Sequence, residues 1–64
     1  MNLLHLRYFS ELARRLHYSR AAEALCITQP TLSYAIRELE KELGVPLFER
    51  NGRNVLLSRY GQAF

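Results

Sequence analysis

The stretch Thr28-Gln29-Pro30-Thr31-Leu32-Ser33-Tyr34-Ala35-Ile36-Arg37-Glu38-Leu39-Glu40-Lys41-Glu42-Leu43-Gly44 decides the fold of this 64-residue chain. Thr28 has the side-chain oxygen of a good N-cap, and Pro30 falls in the first turn, where its missing N–H costs nothing. Leu32, Ile36, Leu39 and Leu43 recur at spacings of four, three and four, making one narrow apolar stripe. Gly44 supplies a C-terminal stop and Pro46 prevents resumption. The pattern predicts a helix over about 29–42 with a single buried face. Opposite the stripe lie Pro30, Tyr34, Arg37 and Lys41, with Ser33 at one edge and Thr31 at the other. Gln29 is nearer the stripe by angle, but it sits at the helix tip, where side chains project forward.

Upstream, the chain reads as two more helices. Over about 3–16, Leu6, Phe9, Leu12, Ala13 and Leu16 share one arc, and Arg7, Glu11 and Arg14 fall opposite. A short helix over about 19–25 follows. Ser19 is a plausible N-cap, with His17 as an earlier start, and Ala21, Ala22 and Ala24 are strong helix formers that let another helix approach closely. Cys26-Ile27-Thr28 is then a three-residue turn without the glycine often found there.

Downstream, the period changes. Leu47-Phe48-Glu49-Arg50 and Val55-Leu56-Leu57-Ser58 are short strand-like runs, and Asn51-Gly52-Arg53-Asn54 between them is a hairpin signal. Ser58 reads as the N-cap of a fourth helix that is cut at Phe64, as in a fragment of a longer protein. Helix, short helix, three-residue turn, helix and hairpin is the order of a winged helix-turn-helix, a mainly α fold with a three-helix core and a two-stranded wing. The wing spans about 47–57. Residues 1–57 form the domain and 58–64 begin a linker helix.

Composition narrows the function. The net charge is +3 and the pI about 9.5, which favours a polyanionic partner but does not by itself require one. Four of the six acids lie between Glu38 and Glu49, and Arg50, Arg53 and Arg59 follow with no acid among them. No run of about 18 apolar residues exists, so no membrane span is expected, and charges in the first 20 residues break any signal-peptide core. The single cysteine, Cys26, cannot make an internal disulfide or complete a zinc site, which points to a reducing, cytoplasmic setting. Beside Leu25 and Ile27 it reads as a buried packing residue, with a redox role as the alternative. His5 and His17 lack partners at metal-ligand spacing. No nucleophile, base and orienter pair up, and no Gly-rich phosphate loop exists, so neither enzyme activity nor a cofactor is expected of this domain.

An α-helix fits the major groove of DNA, and its amino-terminal residues touch base edges. Gln pairs with adenine through both ends of its amide, and Thr, Ser and Tyr bond bases or phosphates. Arg37 and Lys41 suit phosphates, as does the free N-terminus of the helix. Arg53, at the hairpin tip, is placed to enter a minor groove or to sit in a solvated turn. Arg50 serves a phosphate or pairs with Glu49 or another carboxylate. Phe9, Leu12 and Phe48 read as core, while Tyr8, Tyr18 and Tyr60 fit either the core rim or phosphate donation. A winged helix used for protein contact would instead expose an apolar patch on the third helix or wing. The outer face here carries Tyr34, Arg37 and Lys41.

Across essentially all 64 residues the sequence resembles the DNA-binding domain of LysR-type transcriptional regulators. The resemblance rests on Leu6-Arg7-Tyr8-Phe9, Ser19-Arg20-Ala21-Ala22-Glu23-Ala24-Leu25 and above all Thr28-Gln29-Pro30-Thr31-Leu32-Ser33. It continues in Ile36-Arg37-Glu38-Leu39-Glu40, Leu43-Gly44, Leu47-Phe48-Glu49-Arg50, Leu57-Ser58 and Gly61. It implies a bacterial transcription regulator acting on a double-stranded DNA operator in the cytoplasm, at the nucleoid. It also implies an effector-sensing domain that takes a small-molecule co-inducer, pairing into homodimers or homotetramers through the linker helix, and RNA polymerase as a further partner. By the same resemblance, base contacts fall on Gln29, Pro30, Thr31, Ser33 and Tyr34, and Arg53 enters the minor groove. The resemblance puts Thr28 and Arg37 on phosphates, and the polar and basic residues of the second helix, third helix and wing add Ser19, Arg20, Lys41 and Arg50 as expected phosphate contacts. Two positions depart from the pattern. Position 34, often basic in the family, is Tyr34, and the next, often Gln, is Ala35. Tyr34 therefore bonds a phosphate or packs on a thymine methyl rather than placing a cation on a base.

Overall fold

The computed structural model describes residues 2–51 and 54–64. Among these, α1 (Leu3–Arg15), α2 (Tyr18–Leu25) and α3 (Gln29–Leu43) precede β1 (Phe48–Asn51), β2 (Asn54–Leu57) and α4 (Arg59–Ala63). The architecture is the mainly helical winged helix-turn-helix expected from the sequence. Helices α1, α2 and α3 pack on one another, and the antiparallel β1–β2 hairpin closes one side.

The local signals at α3 act as expected. The Thr28 hydroxyl accepts from the Thr31 N–H, Pro30 sits in the first turn, and Gly44 ends the helix at φ 75°. The start of α2 differs. The cap is His17, whose Nδ1 accepts from the Arg20 N–H, so Ser19 is already inside the helix and its hydroxyl is free for another partner. The strands also run one residue further toward the tip than expected, because Asn51 pairs with Asn54. Leu47 and Ser58 fall outside the strands, although the Ser58 N–H still donates to the Leu47 carbonyl at 2.9 Å.

Tyr8, Leu12, Ala21, Ala22, Leu32, Ala35, Ile36 and Val55 form the core cluster, ringed by Phe9, Tyr18, Leu25, Ile27 and Phe48. Burying a Leu or Ile side chain contributes about 1.5–3 kcal/mol, and Leu12, Leu32, Ile36, Leu39 and Leu47 are all fully buried. The buried face of α1 is centred on Tyr8 and Leu12 rather than on Leu6, which settles Tyr8 as core. Ala35 is also buried, so the absence of a long side chain there shapes helix packing rather than the outer face.

Several contacts fix the wing and the chain after it to this core. The Val55 side chain is buried, and its N–H donates to the carbonyl of Leu16, the αL residue that closes α1. Phe9 stacks obliquely on Phe48 at 5.5 Å and edge-on to Phe64 at 5.4 Å, tying α1 to β1 and to the chain beyond β2. Ser58 caps α4 by accepting from the Gly61 N–H, while its hydroxyl donates to the Pro46 carbonyl. A Cβ at Gly61 would stand 2.2 Å from the Leu47 carbonyl oxygen, so only glycine lets α4 approach this closely.

Candidate nucleic-acid interface

In the first turn of α3 the Thr28 hydroxyl accepts from the Thr31 N–H and Pro30 has no N–H, which leaves the Gln29 N–H as the donor open to an anion. Gln29, Pro30 and Thr31 are exposed on this first turn. Ser33 is half-buried, Tyr34 is 58% exposed, and Arg37 and Lys41 are exposed further along. Leu32, Ala35, Ile36 and Leu39 seal the opposite face. Burial thus holds α3 by one side and presents the other as a continuous polar strip.

Side chains at the tip of α3 are tied to neighbours. The Ser19 hydroxyl of α2 donates to Oε1 of Gln29 at 3.2 Å. The hydroxyls of Thr28 and Thr31 share a 2.8 Å bond. A serine hydroxyl carries one proton, so Ser19 cannot donate to a phosphate while it holds Gln29. Arg20, the next residue along α2, is exposed.

The pairing of Arg50 with Val55 and of Phe48 with Leu57 puts Phe48 and Arg50 on one face of the wing. Arg50 makes no ion pair among the described residues, with Glu49 or with any other carboxylate. Arg37 likewise has no ion pair there, while Lys41 lies 4.0 Å from Glu38. The two arginines meet electrostatically at Tyr18. Burial pushes the Tyr18 hydroxyl above its ordinary value, Glu40 adds to the rise, and the Arg50 and Arg37 charges oppose it. One cation from the wing and one from α3 thus act electrostatically on the same hydroxyl. On α1, by contrast, Arg14 and Arg15 both engage Glu11, whose carboxyl is lowered chiefly by its hydrogen bond from Arg15. Arg53 lies outside the described residues.

Cys26 is not the packing residue expected. It is exposed, because it closes α2 in the left-handed region at φ 58° and its side chain turns outward. Sequence reasoning also passed over Glu40. Its carboxylate accepts from the backbone N–H of Leu47 at 2.8 Å and of Phe48 at 3.4 Å, joining α3 to the first strand of the wing. The available signal was its angle: at about 100° per residue, Glu40 lies on the flank of the apolar stripe rather than on the solvated face. Among the described residues no group of three His, Cys, Asp or Glu side chains is placed to hold a metal ion. No helix there is long and apolar enough to cross a membrane.

Residues 3–62 match the family described as bacterial regulatory helix-turn-helix protein, lysR family. The chain is 53% identical over its whole length to the HTH-type transcriptional regulator BudR of Klebsiella aerogenes, of which it covers 45%. It is 54% identical over 59 residues to the uncharacterised HTH-type transcriptional regulator YybE of Bacillus subtilis, covering 92% of this chain and 20% of that one. The chain thus spans from a fifth to about half the length of these relatives. Among solved structures, the BenM DNA-binding domain in complex with benA site 1 DNA superposes with a TM-score of 0.94 at 45% identity, covering all of this chain and 74% of that one. The CbnR DNA-binding domain in complex with DNA gives 0.95 at 36% identity, with the same coverage.

Proposed function

The chain belongs to the LysR family of bacterial regulatory helix-turn-helix proteins, and on that premise we propose that it is the sequence-reading head of a transcription regulator rather than an enzyme. The tip of α3 enters the major groove of an operator duplex, where Gln29, Pro30, Thr31, Ser33 and Tyr34 face the bases. Arg20, Thr28, Arg37, Lys41 and Arg50 hold phosphates, and Arg53 reaches the minor groove. At Ser19 a phosphate competes with Gln29 for one hydroxyl proton. Residues 1–57 act as the DNA-binding domain, and the helix begun at Arg59 pairs two or four heads in a homodimer or homotetramer. RNA polymerase is a further partner, the site of action is the nucleoid in the cytoplasm, and a co-inducer binds an effector-sensing domain.

The observation that carries this reading is the exposed first turn of α3, with Arg37 further along the same outer face; neither Arg37 nor Arg50 of the wing makes an ion pair among the described residues. Salt dependence tests it. Four phosphate cations (Arg20, Arg37, Lys41 and Arg50) predict a slope of log K against log salt of about −3.6 per head. Arg37→Ala and Arg50→Ala should each make it shallower by about one unit. A slope near zero, or one indifferent to both variants, would remove the proposal.

A further inference from the structure

The hydrogen bond between α2 and the tip of α3 bears on which base is read. Ser19 and Gln29 are both exposed, so burial does not force their contact, and yet the Ser19 hydroxyl donates to Oε1 of Gln29 at 3.2 Å. Ser19 is free to do so because His17 caps α2 in its place. The next reading residue is also restrained. Pro30 has its φ fixed by its ring, and Thr31 shares its hydroxyl bond with Thr28.

A primary amide has an acceptor end and a donor end. Pairing with adenine uses both at once, with the oxygen accepting from N6 and the nitrogen donating to N7. An amide whose oxygen is turned toward α2 points its planar Nε2 end away from α2. Guanine offers two acceptors on its major-groove edge, O6 and N7, whereas adenine sets a donor beside its one acceptor. We infer that Ser19 is a specificity-determining positioning residue: by taking one lone pair of Oε1 and turning that end of the amide toward α2, it leaves Nε2 as the end of Gln29 that faces a base, matched to guanine over adenine. The inference rests on the proposed reading of major-groove bases by Gln29.

Selection from a duplex library randomised across the half-site tests it, using the unaltered chain, Ser19→Ala, Ser19→Thr and Gln29→Ala. Thermal melts establish that each variant folds, and both substituted side chains are exposed. The base position that loses its preference in Gln29→Ala identifies the contact. At that position the unaltered chain and Ser19→Thr should select guanine, and Ser19→Ala should move the guanine-to-adenine ratio toward adenine by about tenfold. Other positions should keep their preferences. An unchanged ratio in Ser19→Ala overturns the positioning role while Gln29 still reads a base. A uniform loss of affinity over all sequences also overturns it, and marks Ser19 as a phosphate ligand. If Gln29→Ala alters no position, the underlying base reading fails and the inference falls with it.

Discussion

Replacing Cys26 with glycine should stabilise this domain. Cys26 holds φ 58° at the end of α2, where its N–H donates to the carbonyls of Ala22 and Glu23. A side chain in that left-handed conformation costs roughly 1–2 kcal/mol, because Cβ crowds the following carbonyl. Glycine removes the crowding but adds about 0.5–1 kcal/mol of freedom to the unfolded chain. The Cys26 side chain is exposed, so little packing is lost. The net gain is about 0.5–1 kcal/mol. At roughly 2.1 cal/mol/K per residue, that raises Tm by about 4–7 °C for a chain of this size. Leu16 is the internal control. It closes α1 at φ 55°, but its side chain is half-buried. Leu16→Gly relieves the same strain while losing about 1.5–3 kcal/mol of burial at most, so its Tm should fall or stay level. Melts followed by circular dichroism in reducing buffer give both values. A Tm for Cys26→Gly equal to or below that of the unaltered chain would refute the strain accounting.

Other perturbations follow from single contacts. Glu40→Ala leaves the N–H of buried Leu47 without its carboxylate and should cost about 1.5–3 kcal/mol, with a fall in Tm of about 10–20 °C; Glu40→Gln keeps one acceptor and should lose less. Gly61→Ala forces a methyl against the Leu47 carbonyl and should lower stability by at least about 2 kcal/mol, read as a reduced urea midpoint. The Tyr18 hydroxyl is raised by burial, so the neutral form is favoured in the folded state. Its contribution is complete below the usual phenol value of about 10 and is lost as pH rises through the folded value. Phenolate absorbance should therefore show Tyr18 ionising last or with unfolding, and Tyr18→Phe should soften the alkaline loss of stability.

What the sequence disclosed was local. Thr28, Pro30 and Gly44 act within one helical turn of their own positions, so the limits of α3 could be read from neighbouring residues. The wing was legible for the same reason, since the Asn-Gly signal sits between two apolar runs. His17 and Ser19 are both polar residues at the start of α2, and only the reach of the His17 Nδ1 to the Arg20 N–H decides between them. Cys26 misled because an apolar neighbourhood in sequence says nothing of a backbone that turns left-handed and carries the side chain outward. Glu40 bonds backbone groups seven and eight residues away, across a change from helix to strand, and no periodic pattern records such a contact. The Ser19–Gln29 bond is similarly a product of how α2 lies on α3.

The central claim is that the exposed tip of α3 reads bases, and the affinity of Gln29→Ala for a selected duplex and for a random one tests it most directly. Both should be measured at one fixed salt concentration. Loss of one base-edge contact should weaken the selected duplex by about tenfold and leave the random duplex nearly unchanged, since phosphate contacts carry the latter. Equal losses on the two duplexes, or no loss on either, would contradict the account.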